Sequence, residues 1–259
     1  MTLACLRWVL ATLIVAPFAW PYIRREWPII RANFWLLVFL GVAGNGVLNT
    51  MQYLGLQTTT ALNALIMNSA IPVLIPILAA IFFGDRIGFV AALGIAVSLS
   101  GVLIVISNGS VQALLGLTLV YGDLLVFLGM ASWAVYACFM RLRPPLHMMS
   151  FVGVLYAVAA LFNIPFALLE MALLGHVPRL GPTAWAAVGY VALVPSVLAG
   201  IAFNRGVDLI GGTRAGVFSH LIPLFGAVMA MVFLGEQPGL HHVAGFAAIL
   251  VGVSLAARK

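Results

Sequence analysis

Along 259 residues the chain alternates long apolar runs with short polar punctuation. Nine runs stand out, at 3–22, 33–54, 61–83, 87–107, 122–140, 148–169, 183–203, 213–234 and 240–257. Most are close to the roughly 20 residues that carry an α-helix across a hydrocarbon core. Within a run the apolar residues are continuous rather than alternating, which argues against barrel strands. The pattern predicts an all-α, polytopic membrane protein with nine transmembrane helices. The first run is followed by Arg24-Arg25-Glu26 rather than a small-residue cleavage site, so it reads as a span and not as a signal peptide.

The punctuation repeats. Gly55 matches Gly206, Ile71-Pro72 match Ile222-Pro223, and Phe82 matches Phe233, all at an offset of 151. Gly84-Asp85, Gly88, Gly94 and Gly101-Val102 match Gly235-Glu236, Gly239, Gly245 and Gly252-Val253 at the same offset. Matches on Gly and Pro carry backbone meaning, so they mark an internal duplication of a structural unit. Upstream, Pro17-Phe18-Ala19 echo Pro165-Phe166-Ala167. The run at 122–140 has no counterpart ahead of the first run. The unit is therefore five helices, and the chain is expected to hold four plus five: a first repeat over 1–107, a connector over 108–120 and a second repeat over 121–259. A helix preceding the first run is expected to be missing.

Composition fits a bilayer. The chain is 64% hydrophobic and 7% charged, with mean hydropathy +1.18, where an ordinary soluble domain carries roughly 25% charge. The net charge of +6 comes from loop-end Lys and Arg, not from a basic cluster sized for nucleic acid, so no nucleic-acid partner is expected. With a cytoplasmic C-terminus, nine spans place Arg24, Arg25, Arg31, Arg86, Arg141, Arg143, Arg205, Arg214, Arg258 and Lys259 on the cytoplasmic side. Only Arg7 and Arg179 fall outside. This asymmetry obeys the positive-inside rule. Five-helix units then lie in opposite orientations, an inverted repeat typical of secondary transporters, with substrate near the midplane between repeats and one bundle rocking against the other.

Asn68-Ser69-Ala70-Ile71-Pro72 through Gly84-Asp85, and again Ser219-His220-Leu221-Ile222-Pro223 through Gly235-Glu236, resemble the repeated motif of EamA-type drug/metabolite transporters. Gly122-Asp123 followed by Ala131-Ser132-Trp133-Ala134 is similar to the opening helix of the second EamA unit. Members of that family typically have ten helices. The resemblance implies a small-molecule carrier of the bacterial inner membrane, often an exporter of amino acids or other metabolites.

Candidate chemistry follows from polar residues at depth. Asn45, Asn49, Gln52 and Tyr53 share one helix face, which either lines a cavity or forms an interhelical hydrogen-bond seam. Asn63, Asn68, Ser196, Ser219 and His220 join them as candidate solute contacts; Asn204 also lies at depth. A lone buried His such as His220 is more often a structural donor, although its ordinary pKa near neutrality also suits transport. Trp133 and Tyr136 read either as aromatic cavity walls or as packing. Pro72, Pro76 and Pro223 are expected to kink the spans that carry the polar residues, a pointer to a transporter's site. Asp85 and Glu236 are expected to cap helix N-termini, and Asp123 reads similarly. No carboxylate falls at mid-span, so carboxylate-based proton antiport is not expected.

The stripes Gly94, Ser98, Gly101 and Gly245, Ala248, Gly252 read as packing faces, and either offers a face for a homodimer. Cys5 and Cys138 lack metal-ligand spacing, and neither a metal, a cofactor nor a catalytic constellation is expected. The reading is a transporter of a small organic solute. A sugar-nucleotide or lipid-linked carrier would need fixed positive charge at depth, where Arg7 is only a shallow exception. A non-transporting truncated paralogue and a membrane enzyme complete the alternatives.

Overall fold

The computed structural model describes residues 1–107, 109–116, 118–174, 181–234 and 239–256. In chain order the α-helices are α1 (Thr2–Ala32), α2 (Phe34–Gly41), α3 (Leu48–Gly55), α4 (Ala61–Asn68), α5 (Ile71–Phe83), α6 (Phe89–Ile106) and α7 (Val111–Leu115). They continue with α8 (Tyr121–Phe139), α9 (Met148–Leu174), α10 (Pro182–Val191), α11 (Ala199–Ile210), α12 (Gly212–Val217), α13 (Leu221–Leu234) and α14 (Leu240–Ala256). Two π-helical segments, Val42–Val47 and Ala192–Leu198, join α2 to α3 and α10 to α11. No strand occurs among the described residues.

Six helical runs there are long and apolar enough to cross a membrane: Thr2–Ala32, Phe34–Gly55, Phe89–Ile106, Tyr121–Leu142, Met148–Leu173 and Pro182–Ile210. Ile71–Phe83 and Leu240–Ala256 are shorter apolar helices. With so little charge and so many apolar helices, the chain is an all-α integral membrane protein.

The chain divides into two compact units. The first comprises Met1–Leu54 and Phe139–Leu209. Its centre is the packing of α1 on α9. Ala4, Trp8, Ala11, Val15 and Ala19 are buried at helical spacing on one face of α1. The two helices run antiparallel: Thr2 meets Glu170, Ala19 meets Gly153, and Tyr22 stacks on His147 at 3.7 Å. Near the crossing, the rings of Trp8 and Tyr156 lie 5.0 Å apart. A Cβ on Gly153 would stand 2.7 Å from that of Ala19, so glycine there permits the close approach. The π segment Val42–Val47 packs on α9, and Ala192–Leu198 packs on α1. Exposed Trp20, Trp27 and Trp35 accompany exposed Arg24, Arg25 and Arg31, the composition of an interfacial belt.

The second unit comprises Gly55–Cys138 and Ile210–Lys259. It is built on a different crossing, α6 against α14. A Cβ on Gly101 would stand 2.7 Å from the Gly245 carbonyl oxygen, and one on Gly252 would stand 2.6 Å from that of Gly94. Backbone meets backbone at both points, so these helices are also antiparallel. The two small-residue stripes meet each other inside this unit as packing faces.

Two expected spans are broken. Run 61–83 divides into α4 and α5 around Ser69-Ala70, and run 213–234 divides into α12, a 3-10 turn at Phe218–His220, and α13. Pro72 stands in the first turn of α5, where its missing N–H leaves no bond unmade. Pro223 is the third residue of α13; its side chain, like that of Ser219, lies outside the described set. These two prolines therefore start helices rather than kink them, while Pro76 lies inside α5. Helix α5 ends on Gly84 at φ 70°, a left-handed conformation that glycine adopts without a Cβ penalty, and the Asp85 N–H returns to the Ala79 carbonyl at 3.3 Å. The N-cap of α6 is Gly88, with no side-chain bond, so Asp85 does not occupy the expected cap position. Glu236 lies outside the described residues.

Candidate functional site

The first unit holds a cation in a setting that sequence spacing alone does not show. Arg7, on the first turns of α1, donates from Nε to Ser196 Oγ at 2.6 Å. Its Nη1 donates to Asn49 Oδ1 at 2.7 Å and to Tyr53 Oη at 3.0 Å. All three acceptors are neutral, and no described carboxylate lies within ion-pair distance of Arg7. Ser196 stands at the midpoint of the helical run Pro182–Ile210, so the guanidinium reaches a neighbour's middle although Arg7 lies near one end of its own helix. A charge inside a membrane bundle is costly, and where it persists it marks a functional position by default.

The acceptors are themselves held. Asn49 Nδ2 donates to the Asn45 carbonyl at 3.1 Å, and Ser196 Oγ donates to the Val191 carbonyl at 2.7 Å. Asn45 and Ser196 both lie in π segments, and the offset of 151 carries Val42–Val47 into Ala192–Leu198. Single π-helical turns inside α-helices recur at functional sites because the wider turn disturbs the i→i−4 ladder and re-aims side chains. Here they bring Asn49 and Ser196 to one guanidinium. Tyr156 Oη donates to the Ser196 carbonyl, fixing that segment against α9. Beside it, Thr50 donates to the Gly46 carbonyl at 2.9 Å and also contacts Asn163 Oδ1 on α9.

The remaining candidates fall in the second unit. Asn63, buried in α4, donates to Asp123 Oδ2 at 3.0 Å. Thr59 Oγ1 and the Val120 N–H, the latter at 2.8 Å, also donate to Asp123. This buried carboxylate ties the first turn of α8 to the turn ahead of α4, close to the expected cap role. Nearby lies a cavity of about 290 Å³, lined by Thr58, Thr59, Thr60, Asn63, Ala113, Gly116, Thr118 and Val120. Asn68 closes α4 half-buried. Tyr136 is fully buried, and its ring is 5.1 Å from that of half-buried Trp133.

His220 is 1% exposed and paired on both sides, with Nδ1 2.6 Å from Ser98 Oγ and Nε2 3.1 Å from the Ser69 carbonyl. Ser69 and His220 are the two positions that the offset of 151 equates. Each helix break frees backbone groups, and the imidazole of one break satisfies the carbonyl of the other. This geometry favours the structural reading of His220.

The structure thus brings Asn45, Asn49, Tyr53 and Ser196 together around Arg7, and does not bring Asn63, Asn68, Trp133, Tyr136 or His220 into that cluster. Arg7 itself is the residue that sequence spacing undervalued, since its distance from the run's edge suggested a shallow position. Its signal was a permanent cation inside an apolar run, unaccompanied by any acidic residue in the same run.

The model of the EamA-like transporter family matches residues 1–107 and 120–258. The chain belongs to the EamA-like transporter family. Among similar proteins, the uncharacterized transporter YyaM of Bacillus subtilis (strain 168) is 28% identical over 86% of this chain and 73% of its own length. An uncharacterized transporter of Archaeoglobus fulgidus is 28% identical over 99% of this chain and 87% of its own. A WAT1-related protein of Arabidopsis thaliana is 26% identical over 96% and 72%. A solved crystal structure shares the fold with a TM-score of 0.76 at 19% identity, covering 98% of this chain and 86% of that one. These findings make the EamA-like chain a membrane transporter of the drug/metabolite transporter superfamily.

Proposed function

We propose that this EamA-like chain is a secondary transporter that moves a small organic metabolite, such as an amino acid or a related solute, across the bacterial inner membrane. It works by alternating access, as an exporter, with its C-terminus in the cytoplasm. The observation that carries this reading is the Arg7 cluster, to which both sequence repeats contribute: Asn49 and Tyr53 from the first, Ser196 from the second. The antiparallel packing of the offset-related helices α6 and α14 supports an inverted repeat with boundaries at 107 and 121, the architecture in which sites form where repeats meet. A sugar-nucleotide carrier must neutralise two phosphates, and the single arginine of this cluster suits a smaller charge.

The test is flux. Purified protein in proteoliposomes, loaded in turn with a panel of amino acids and other small metabolites, should release at least one of them faster than protein-free vesicles. A panel in which no solute moves, with the protein verified as folded, contradicts the reading.

A further inference from the structure

Guanidinium carries five N–H donors and no acceptor. In Arg7, Nε spends its one on Ser196 and Nη1 spends its two on Asn49 and Tyr53. The two donors of Nη2 have no partner among the described residues, and Nη2 is absent from the fully buried unpaired atoms, so it faces accessible space. Tyr53 uses its oxygen to accept from Nη1, which leaves its own O–H proton to donate. Asn49 and Ser196 are committed twice over, to Arg7 and to backbone carbonyls. On the neighbouring residue, the buried Trp8 indole N–H also lacks an acceptor among the described residues. The cluster therefore has a surplus of donors, one uncompensated positive charge, and no acidic group to absorb either.

We propose that Arg7 Nη2 and the Tyr53 hydroxyl form the subsite that receives the carboxylate of the transported solute, an inference that rests on the transporter reading above. Asn45, Asn49 and Ser196 are positioning residues: they hold the guanidinium plane so that one edge is satisfied and the other presented. A single carboxylate matches this site in charge and in donor number. Its two oxygens accept up to four bonds, and three donors are on offer. A phosphate dianion would leave one charge unbalanced. This assignment changes the roles of Asn49 and Ser196 from solute contacts to orienters of the group that makes the contact.

The experiment is ligand-dependent thermal unfolding of the purified full chain in detergent, at constant ionic strength set with chloride. The probes are sodium propionate and sodium benzoate, against propionamide, benzamide and sodium phosphate. Wild type should show a saturable rise in Tm with at least one carboxylate and none with its amide, because only a ligand bound to the folded state shifts the midpoint. Arg7→Gln should lose that response. Tyr53→Phe should keep the fold and weaken the apparent affinity at least about tenfold, the effect of one hydrogen bond to a charged group. Asn49→Asp supplies an internal carboxylate beside Arg7. Its Tm without ligand should equal or exceed that of wild type while its carboxylate response disappears. This variant keeps the test decisive even if Arg7→Gln fails to fold.

The proposal is overturned by an absent carboxylate response in wild type, by an undiminished response in Arg7→Gln or Asn49→Asp, or by a phosphate response stronger than that to carboxylates. Binding here needs no flux. Carboxylate binding without any transport sinks the transporter reading alone, and transport indifferent to these substitutions sinks the subsite alone.

Discussion

The two units each rest on one antiparallel crossing, and the crossings differ in what fills them. In the second unit, α6 and α14 meet through Gly94, Gly101, Gly245 and Gly252, backbone against backbone, with Ser98 the polar side chain on that face. In the first, α1 and α9 meet through Gly153 and alanines on one side but through Trp8 and Tyr156 nearer Arg7. Beside these rings a guanidinium and its neutral acceptors are accommodated. Small residues at a crossing yield van der Waals packing with no room for a ligand. Aromatic residues plus π segments yield a polar interior that must be satisfied. The second crossing is thus suited to scaffold and the first to chemistry.

Substitutions should separate the two. The largest effect is expected at the tight crossing. Gly101→Leu drives a branched side chain into the backbone of Gly245 and Ile249, and should destabilise by about 3 kcal/mol or more. Fluorescence-detected size exclusion and thermal unfolding would show a lost or aggregated peak, while retention of wild-type Tm would refute dry packing there. Next comes Arg7→Gln, which should lower transport by about tenfold to a hundredfold while leaving Tm within a few degrees, since its acceptors can rebond to the amide. A stability loss as large as that of Gly101→Leu would make Arg7 a structural residue.

His220→Ala should come third. It removes the imidazole's bonds to the Ser69 carbonyl and the Ser98 hydroxyl, at a cost of about 1–2 kcal/mol in unfolding, with transport following stability. A transport defect at unchanged Tm would move His220 into the transport machinery. The smallest effect is expected for Asp123→Asn, which retains an acceptor for Val120 and weakens the bonds from Thr59 and Asn63, at about 1 kcal/mol. An unchanged Tm would remove Asp123 from the account of how α8 begins.

The legible and illegible parts divide along physical lines. The membrane class is composition, and composition is a sum over residues that needs no contacts. The glycine stripes were readable because Gly94, Gly101, Gly245 and Gly252 announce close approach in their spacing. The helical face bearing Asn49 and Tyr53 was readable for the same reason. What could not be read was partnership across distant segments. Nothing local in Arg7 points to Ser196, 189 residues away. The break at Ser69-Ala70 was masked because the apolar pattern runs straight through it, and the prolines, which sit just after the breaks, look like interruptions until the helix starts are known. The π segments carry local cues, Pro195 in one and Gly44 and Gly46 in the other, but the same residues also occur at plain kinks and bends, so they do not by themselves specify a wider turn.

The most direct test of the central claim is paired flux through proteoliposomes containing wild type or Arg7→Gln, each verified as folded, over a panel in which every carboxylate solute is matched with its amide. The account predicts that wild type moves at least one carboxylate and not its amide, and that Arg7→Gln lowers that flux by about tenfold to a hundredfold. Equal movement of the carboxylate by both proteins would contradict it.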